Sequence, residues 1–117
     1  MPLAREVVGI GIDLVSWSRI KRFLAEHSFE FLKRLLTPSE QTSLQKSSNP
    51  VQFFARSFAA KEAYFKARGG LSMGEEDFRQ IEIMMEAEDR FRVSGEASEG
   101  KFFESPNGIG AQLVLEV

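Results

Sequence analysis

From Pro50 to Arg68 the chain carries Phe54, Phe58, Ala59, Ala63 and Ala67 about four residues apart, with Gly69-Gly70 directly after them. That spacing predicts one long helix with a core face of Phe and Ala, stopped by the glycines. A chain of 117 residues and 13.2 kDa has room for one core around such a helix, so residues 1–117 are read as a single domain.

The flanking segments have shorter periods. Glu6-Val7-Val8-Gly9-Ile10-Gly11-Ile12 is a β-branched run that suits a buried strand ending at Asp13. Trp17, Ile20, Phe23, Leu24 and His27 then fall at helical spacing, with Ser16 placed to cap the start. Phe29, Leu32, Leu35 and Leu36 extend the apolar pattern to Thr37-Pro38-Ser39-Glu40, a capping box that opens another helix. Breaks follow at Ser47-Ser48-Asn49-Pro50 and at Arg68 to Gly74. Beyond them the period switches to two. Ile81, Ile83 and Met85 alternate with Gln80, Glu82, Met84 and Glu86, and Phe91 and Val93 follow a Glu88-Asp89 turn, which predicts a hairpin. Asn107-Gly108 marks a tight turn into a closing strand with Ala111, Leu113, Leu115 and Val117 on one face. The fold class is α+β, a small antiparallel sheet packed against the long helix.

Fifteen Lys and Arg against seventeen Asp and Glu leave a net charge of −2, so no basic field draws the chain to nucleic acid. There is no cysteine, and His27 is the one histidine. A thiol nucleophile, a thiolate site and a two-histidine zinc site are thereby excluded, and any metal must be hard and bound by oxygen. No apolar run approaches the roughly 18 residues of a membrane span. Met1 to Glu6 lacks a basic region followed by an apolar stretch, and the reading is a cytoplasmic protein without a membrane partner.

Two carboxylates stand where their neighbours fix them. Asp13 closes the glycine-punctuated strand, and Glu62 sits mid-helix between Lys61 and Lys66. On spacing alone, Asp13 can be a helix cap and Glu62 with Lys66 an i,i+4 surface pair. The functional alternative brings Asp13 and Glu62 together on Mg²⁺, with Lys61 and Lys66 neutralising phosphate oxygens of a diphosphate substrate. Gly9-Ile10-Gly11 does not open a helix and fits close backbone packing better than a phosphate loop. His27 closes an apolar helical face and is read as structural.

Three stretches resemble one family in order and spacing. They are Val8-Gly9-Ile10-Gly11-Ile12-Asp13-Leu14-Val15, Arg34-Leu35-Leu36-Thr37-Pro38-Ser39-Glu40, and Phe58-Ala59-Ala60-Lys61-Glu62-Ala63-Tyr64-Phe65-Lys66-Ala67. Together they resemble the holo-[acyl carrier protein] synthases, the small bacterial 4′-phosphopantetheinyl transferases. The resemblance implies that fold, and transfer of 4′-phosphopantetheine from coenzyme A to a serine of apo-acyl carrier protein. It implies Mg²⁺ on Asp13 and Glu62, Lys61 acting with these two in catalysis, and a donor site with Lys66, Lys61, Arg56 and Gly69. It further implies a carrier-protein docking face around Arg19, Lys21 and Arg22, and a homotrimer with a three-stranded sheet against the long helix in each subunit.

The chain departs from that pattern in two places. The family usually continues after Gly95 with a helix and a strand ending in Ser-His-Ser or Ser-His-Thr. Here Glu96 to Gly100 is too short for that helix, and Pro106 falls at the histidine. The family often has Arg directly before Phe58, where this chain has Ser57, with Arg56 one place earlier and about 100° away around the helix. The alternative that these departures support is a non-catalytic carrier-protein or nucleotide-binding module of the same fold.

Overall fold

The computed structural model describes residues 6–70 and 75–117, so the readings of Met1 to Arg5 and of the break at 71–74 lie outside the described residues. Strand β1 spans Val7–Ser16, and helix α1 (Trp17–Glu26) follows with Ser16 as its N-cap. A short helix α2 (Phe29–Leu32) and a 3₁₀ turn (Lys33–Leu35) lead to α3 (Pro38–Lys46), which opens on the predicted capping box. The long helix α4 is Pro50–Ala67, capped by Asn49, and α5 covers Glu75–Gln80. Strands β2 (Ile83–Met85), β3 (Arg90–Val93), β4 (Ser98–Glu104) and β5 (Gly108–Glu116) complete the chain.

The sheet has five strands rather than three, in the order β1-β5-β4-β3-β2, with every neighbouring pair antiparallel. The two short hairpin strands β2 and β3 continue the main sheet, because β3 pairs with β4 at Arg90–Lys101 and Phe91–Gly100. As the short segment from Glu96 to Gly100 predicts, no helix follows Gly95. A turn joins β3 to β4, and the Tyr64 hydroxyl of α4 donates to Glu96 Oε1 at 2.7 Å, tying that turn to the long helix. Pro106 lies in the exposed turn between β4 and β5 rather than on a strand. Trp17 secures this turn to the start of α1, its backbone N–H donating to Asn107 O at 3.1 Å and its indole to Ser105 O at 2.9 Å.

Helix α4 lies across β1 and β5. The contact is possible because β1 offers no side chain at two inward positions. A Cβ on Gly9 would collide with the Ala67 carbonyl, and one on Gly11 with the Ala63 carbonyl. The Ala59, Ala63 and Ala67 side of the helix is buried there, and Phe54, Phe91, Phe102, Ile109 and Leu113 fill the core beside it. The opposite face of β1 has no such cover. Period two places Val8, Ile10, Ile12 and Leu14 together, and they are 54% to 76% exposed.

Candidate active site between the glycine strand and the long helix

Strand β1 does not end at Asp13 but continues for three residues, so Asp13 is an inward-facing strand residue paired with Ala111. The helix cap is Ser16, whose Oγ accepts from Arg19 N at 3.2 Å. Asp13 therefore points at α4, and the residue it meets is Lys66. The Lys66 ammonium donates to Asp13 Oδ1 at 2.9 Å and to the Ile12 carbonyl at 3.1 Å. Lys66 is thus paired across elements, with a partner 53 residues away.

Glu62 belongs to the same cluster. Its carboxyl is held above the ordinary carboxylate range, first by partial burial, then by the negative charge of Asp13, with Lys66 opposing both. Asp13 Oδ2 is buried and receives no hydrogen bond. A buried carboxylate oxygen without a donor is costly, and the Asp13 charge acting on Glu62 leaves the cluster short of positive charge. The donor set is oxygen only, with no group of three or more metal-binding side chains among the described residues. Two carboxylates that leave room for water and substrate phosphates fit Mg²⁺, which seldom takes an all-protein cage.

Lys61 is elsewhere. Its ammonium is fully buried and donates to Glu40 Oε1 at 2.6 Å, to Phe78 O at 2.7 Å and to Leu35 O at 2.9 Å. All three donors are used, so Lys61 does not face a phosphate group, contrary to the sequence expectation. A single residue step on α4 explains this: Lys61 stands on the buried stripe with Phe54, Ser57 and Tyr64, while Glu62 lies 100° round toward the strand. Burial pulls the Lys61 ammonium below its ordinary value, and Glu40 partly offsets that. Glu40, read from sequence only as a capping residue, is the missed member. Besides Lys61 it accepts from Thr37 N and Ile83 N, both at 2.9 Å. The available signal was a lysine on an apolar stripe, which demands a buried partner.

Arg56 and Gly69 are also not assembled with the carboxylates as ligands. Arg56 donates to Glu104 Oε1 from Nη2 at 2.7 Å and from Nε at 3.2 Å, and its guanidinium lies 5.2 Å from the Phe102 ring centre. Ser57, at the place where the family often has Arg, is buried with its Oγ unpartnered. Gly69 has φ +80° just past α4, a conformation that suits glycine, and it ends the helix.

Beside the carboxylates runs a groove of about 270 Å³ between α1 and α4. Val15, Ile20, Phe23, Phe54 and Phe58 make its apolar lining, and Arg19, Arg22 and Glu26 line it as well. Val15 follows Asp13 by two residues on β1, and Phe58 precedes Glu62 by one helical turn. Of the three basic residues expected at a docking face, Lys21 is exposed but does not line this groove.

Residues 9–114 match the 4′-phosphopantetheinyl transferase superfamily. The chain is 38% identical over 116 residues to the holo-[acyl-carrier-protein] synthase of Enterococcus faecalis, covering 94% of this chain and 97% of that one. Its fold is similar to the crystal structure of holo-[acyl-carrier-protein] synthase from Neisseria meningitidis, with TM-score 0.82, 30% identity and coverage of 96% and 100%. It is also similar to the Bacillus anthracis holo-(acyl-carrier-protein) synthase in complex with CoA (3′,5′-ADP), with TM-score 0.77, 34% identity and coverage of 97% and 98%.

Proposed function

The chain belongs to the 4′-phosphopantetheinyl transferase superfamily, and from that premise we propose that it transfers 4′-phosphopantetheine from coenzyme A to a serine hydroxyl of an apo-acyl carrier protein, releasing adenosine 3′,5′-bisphosphate. The observation that carries this reading is the cluster of Asp13, Glu62 and Lys66, with Asp13 Oδ2 left without a donor. Asp13 and Glu62 hold Mg²⁺ in this reading. When bound, the ion supplies positive charge against the donor diphosphate and the charge building on its leaving oxygens.

The serine oxygen forms a bond to the phosphorus that bears the pantetheine, and the bond from that phosphorus to the bridging oxygen breaks. Glu62, with its raised proton affinity, is suited to take the serine proton directly or through a water it holds. Lys66 reaches the phosphate oxygens on a stem that is half exposed, and can protonate the leaving bisphosphate. Mass spectrometry of apo-carrier protein incubated with coenzyme A, Mg²⁺ and this protein tests the reading. Addition of phosphopantetheine is expected; an unmodified carrier protein overturns it in favour of a binding module.

The carrier protein docks on the groove between α1 and α4 in this proposal. An apolar floor with Arg19 and Arg22 outnumbering Glu26 along it suits an acidic amphipathic helix, with the charges acting on encounter and register. Arg22→Glu is expected to raise KM for the carrier protein by about tenfold or more while leaving KM for coenzyme A within about twofold. Steady-state kinetics with each substrate varied separately checks this, and equal effects on both would remove the docking face from α1.

The assembly proposed is a homotrimer, one transferase domain per subunit. Support comes from the uncovered sheet face carrying Val8, Ile10, Ile12, Leu14 and the 49% exposed Phe103, a continuous apolar surface that water does not favour. Sedimentation equilibrium at micromolar concentration is expected to give three times the chain mass, and Ile12→Glu is expected to give the monomer. A monomeric natural protein overturns the assembly. The cytoplasm is the compartment proposed; among the described residues no helix is long and apolar enough to cross a membrane.

A further inference from the structure

Lys66 is the cation beside Asp13 and Glu62, and it is engaged inward. Its ammonium bridges Asp13 Oδ1 and the Ile12 carbonyl, although 49% of its side chain is exposed and the stem is flexible. Such a partly exposed ion pair is weakly held, so a competing charge can displace it. Asp13 is the opposite case, only 13% exposed, with Oδ2 lacking a donor. The strand fixes Asp13 in place, whereas Lys66 can move away.

We propose that Lys66 is an internal counter-cation for the metal site, holding Asp13 in the free chain and giving it up when a divalent cation and a diphosphate arrive. This rests on the reading of Asp13 and Glu62 as the metal pair. A dication held by that pair would be repelled by the ammonium that bonds Asp13, so Lys66 lowers metal affinity in the free chain. The repulsion also turns Lys66 toward any phosphate oxygens present. By linkage, an anion that draws Lys66 off Asp13 raises metal affinity to the same degree. One residue thereby makes the ion and the diphosphate donor bind better together than apart.

The test is Mn²⁺ alone, titrated into the full chain and followed by its electron paramagnetic resonance signal. Lys66→Met is expected to bind Mn²⁺ on the order of tenfold more tightly than the natural protein, and Lys66→Arg, which keeps the charge, to match the natural protein. If Lys66→Met does not fold, Lys66→Gln removes the same charge while keeping a hydrogen-bond donor. Equal or weaker Mn²⁺ binding by the uncharged variant, with Asp13→Asn weakening binding in both backgrounds, overturns the role of Lys66 and leaves the metal pair standing. Mn²⁺ bound by neither the natural protein nor the variant overturns the metal pair itself, and this inference with it.

Discussion

Asp13→Asn is expected to lower kcat for phosphopantetheine transfer by about 10³-fold, the scale of losing several kcal/mol of charge stabilisation at a phosphoryl group. The loss should come without unfolding, because Asn fills the same space between β1 and α4. The exchange ends the ion pair with Lys66 but also ends the repulsion of Glu62, and these act in opposite directions on stability. Circular dichroism melting beside the kinetics separates the two effects. A variant that keeps more than a tenth of the activity would remove Asp13 from the metal site.

The same variant has a signature in pH. Burial and the Asp13 charge raise the Glu62 carboxyl, so in the Asp13→Asn variant its titration should move down toward 4.5, while burial keeps it from reaching that value. Carboxyl carbon resonances of Glu62 followed against pH check the shift. The sign for stability follows from linkage. A carboxyl raised by folding favours the folded chain below its ordinary value of 4.5, and that contribution disappears as pH rises through the folded value. Without metal, Glu62→Gln should therefore melt higher than the natural protein at neutral pH, and the two should converge in acid.

Lys61→Met is expected to cost about 3 to 5 kcal/mol of stability, or roughly 10 to 20 °C in Tm, which is the largest effect expected of a single residue on the fold. The cost arises from what is left behind. Glu40 becomes a buried carboxylate without its cation, and the carbonyls of Leu35 and Phe78 lose their donor. Because an apolar pair can replace a buried ion pair, Lys61→Met with Glu40→Met should recover part of the loss. Thermal melts of the two singles and the double measure the coupling. A single variant melting within a few degrees of the natural protein would mean that Lys61 is not the hub that joins α3, α5 and the 3₁₀ turn to α4.

The elements that depend on near neighbours were legible in the residues alone. The capping box at Thr37-Glu40, the Asn107-Gly108 turn, the period-two strands and the helix up to Gly69 each involve residues a few positions apart, and the structure has all of them. The association of Asp13 with the Lys66 and Glu62 face was expected from the family resemblance alone, since spacing equally allowed a helix cap at Asp13 and a surface pair of Glu62 with Lys66. Which atoms pair was not legible. Lys61 and Lys66 sit five residues apart on one helix with similar flanks, and only rotation about the helix axis sends one into the core toward Glu40 and the other to Asp13. Arg56 finds Glu104 across 48 residues, and the sheet has five strands because β3 finds β4. Local sequence determined where the capped helices begin, through hydrogen bonds made within a turn, whereas β1 runs past Asp13 to Ser16 because β5 pairs with it that far. The fate of each charge was decided by packing, because a buried ion needs a partner in space, and the partner's place in the chain has no fixed offset.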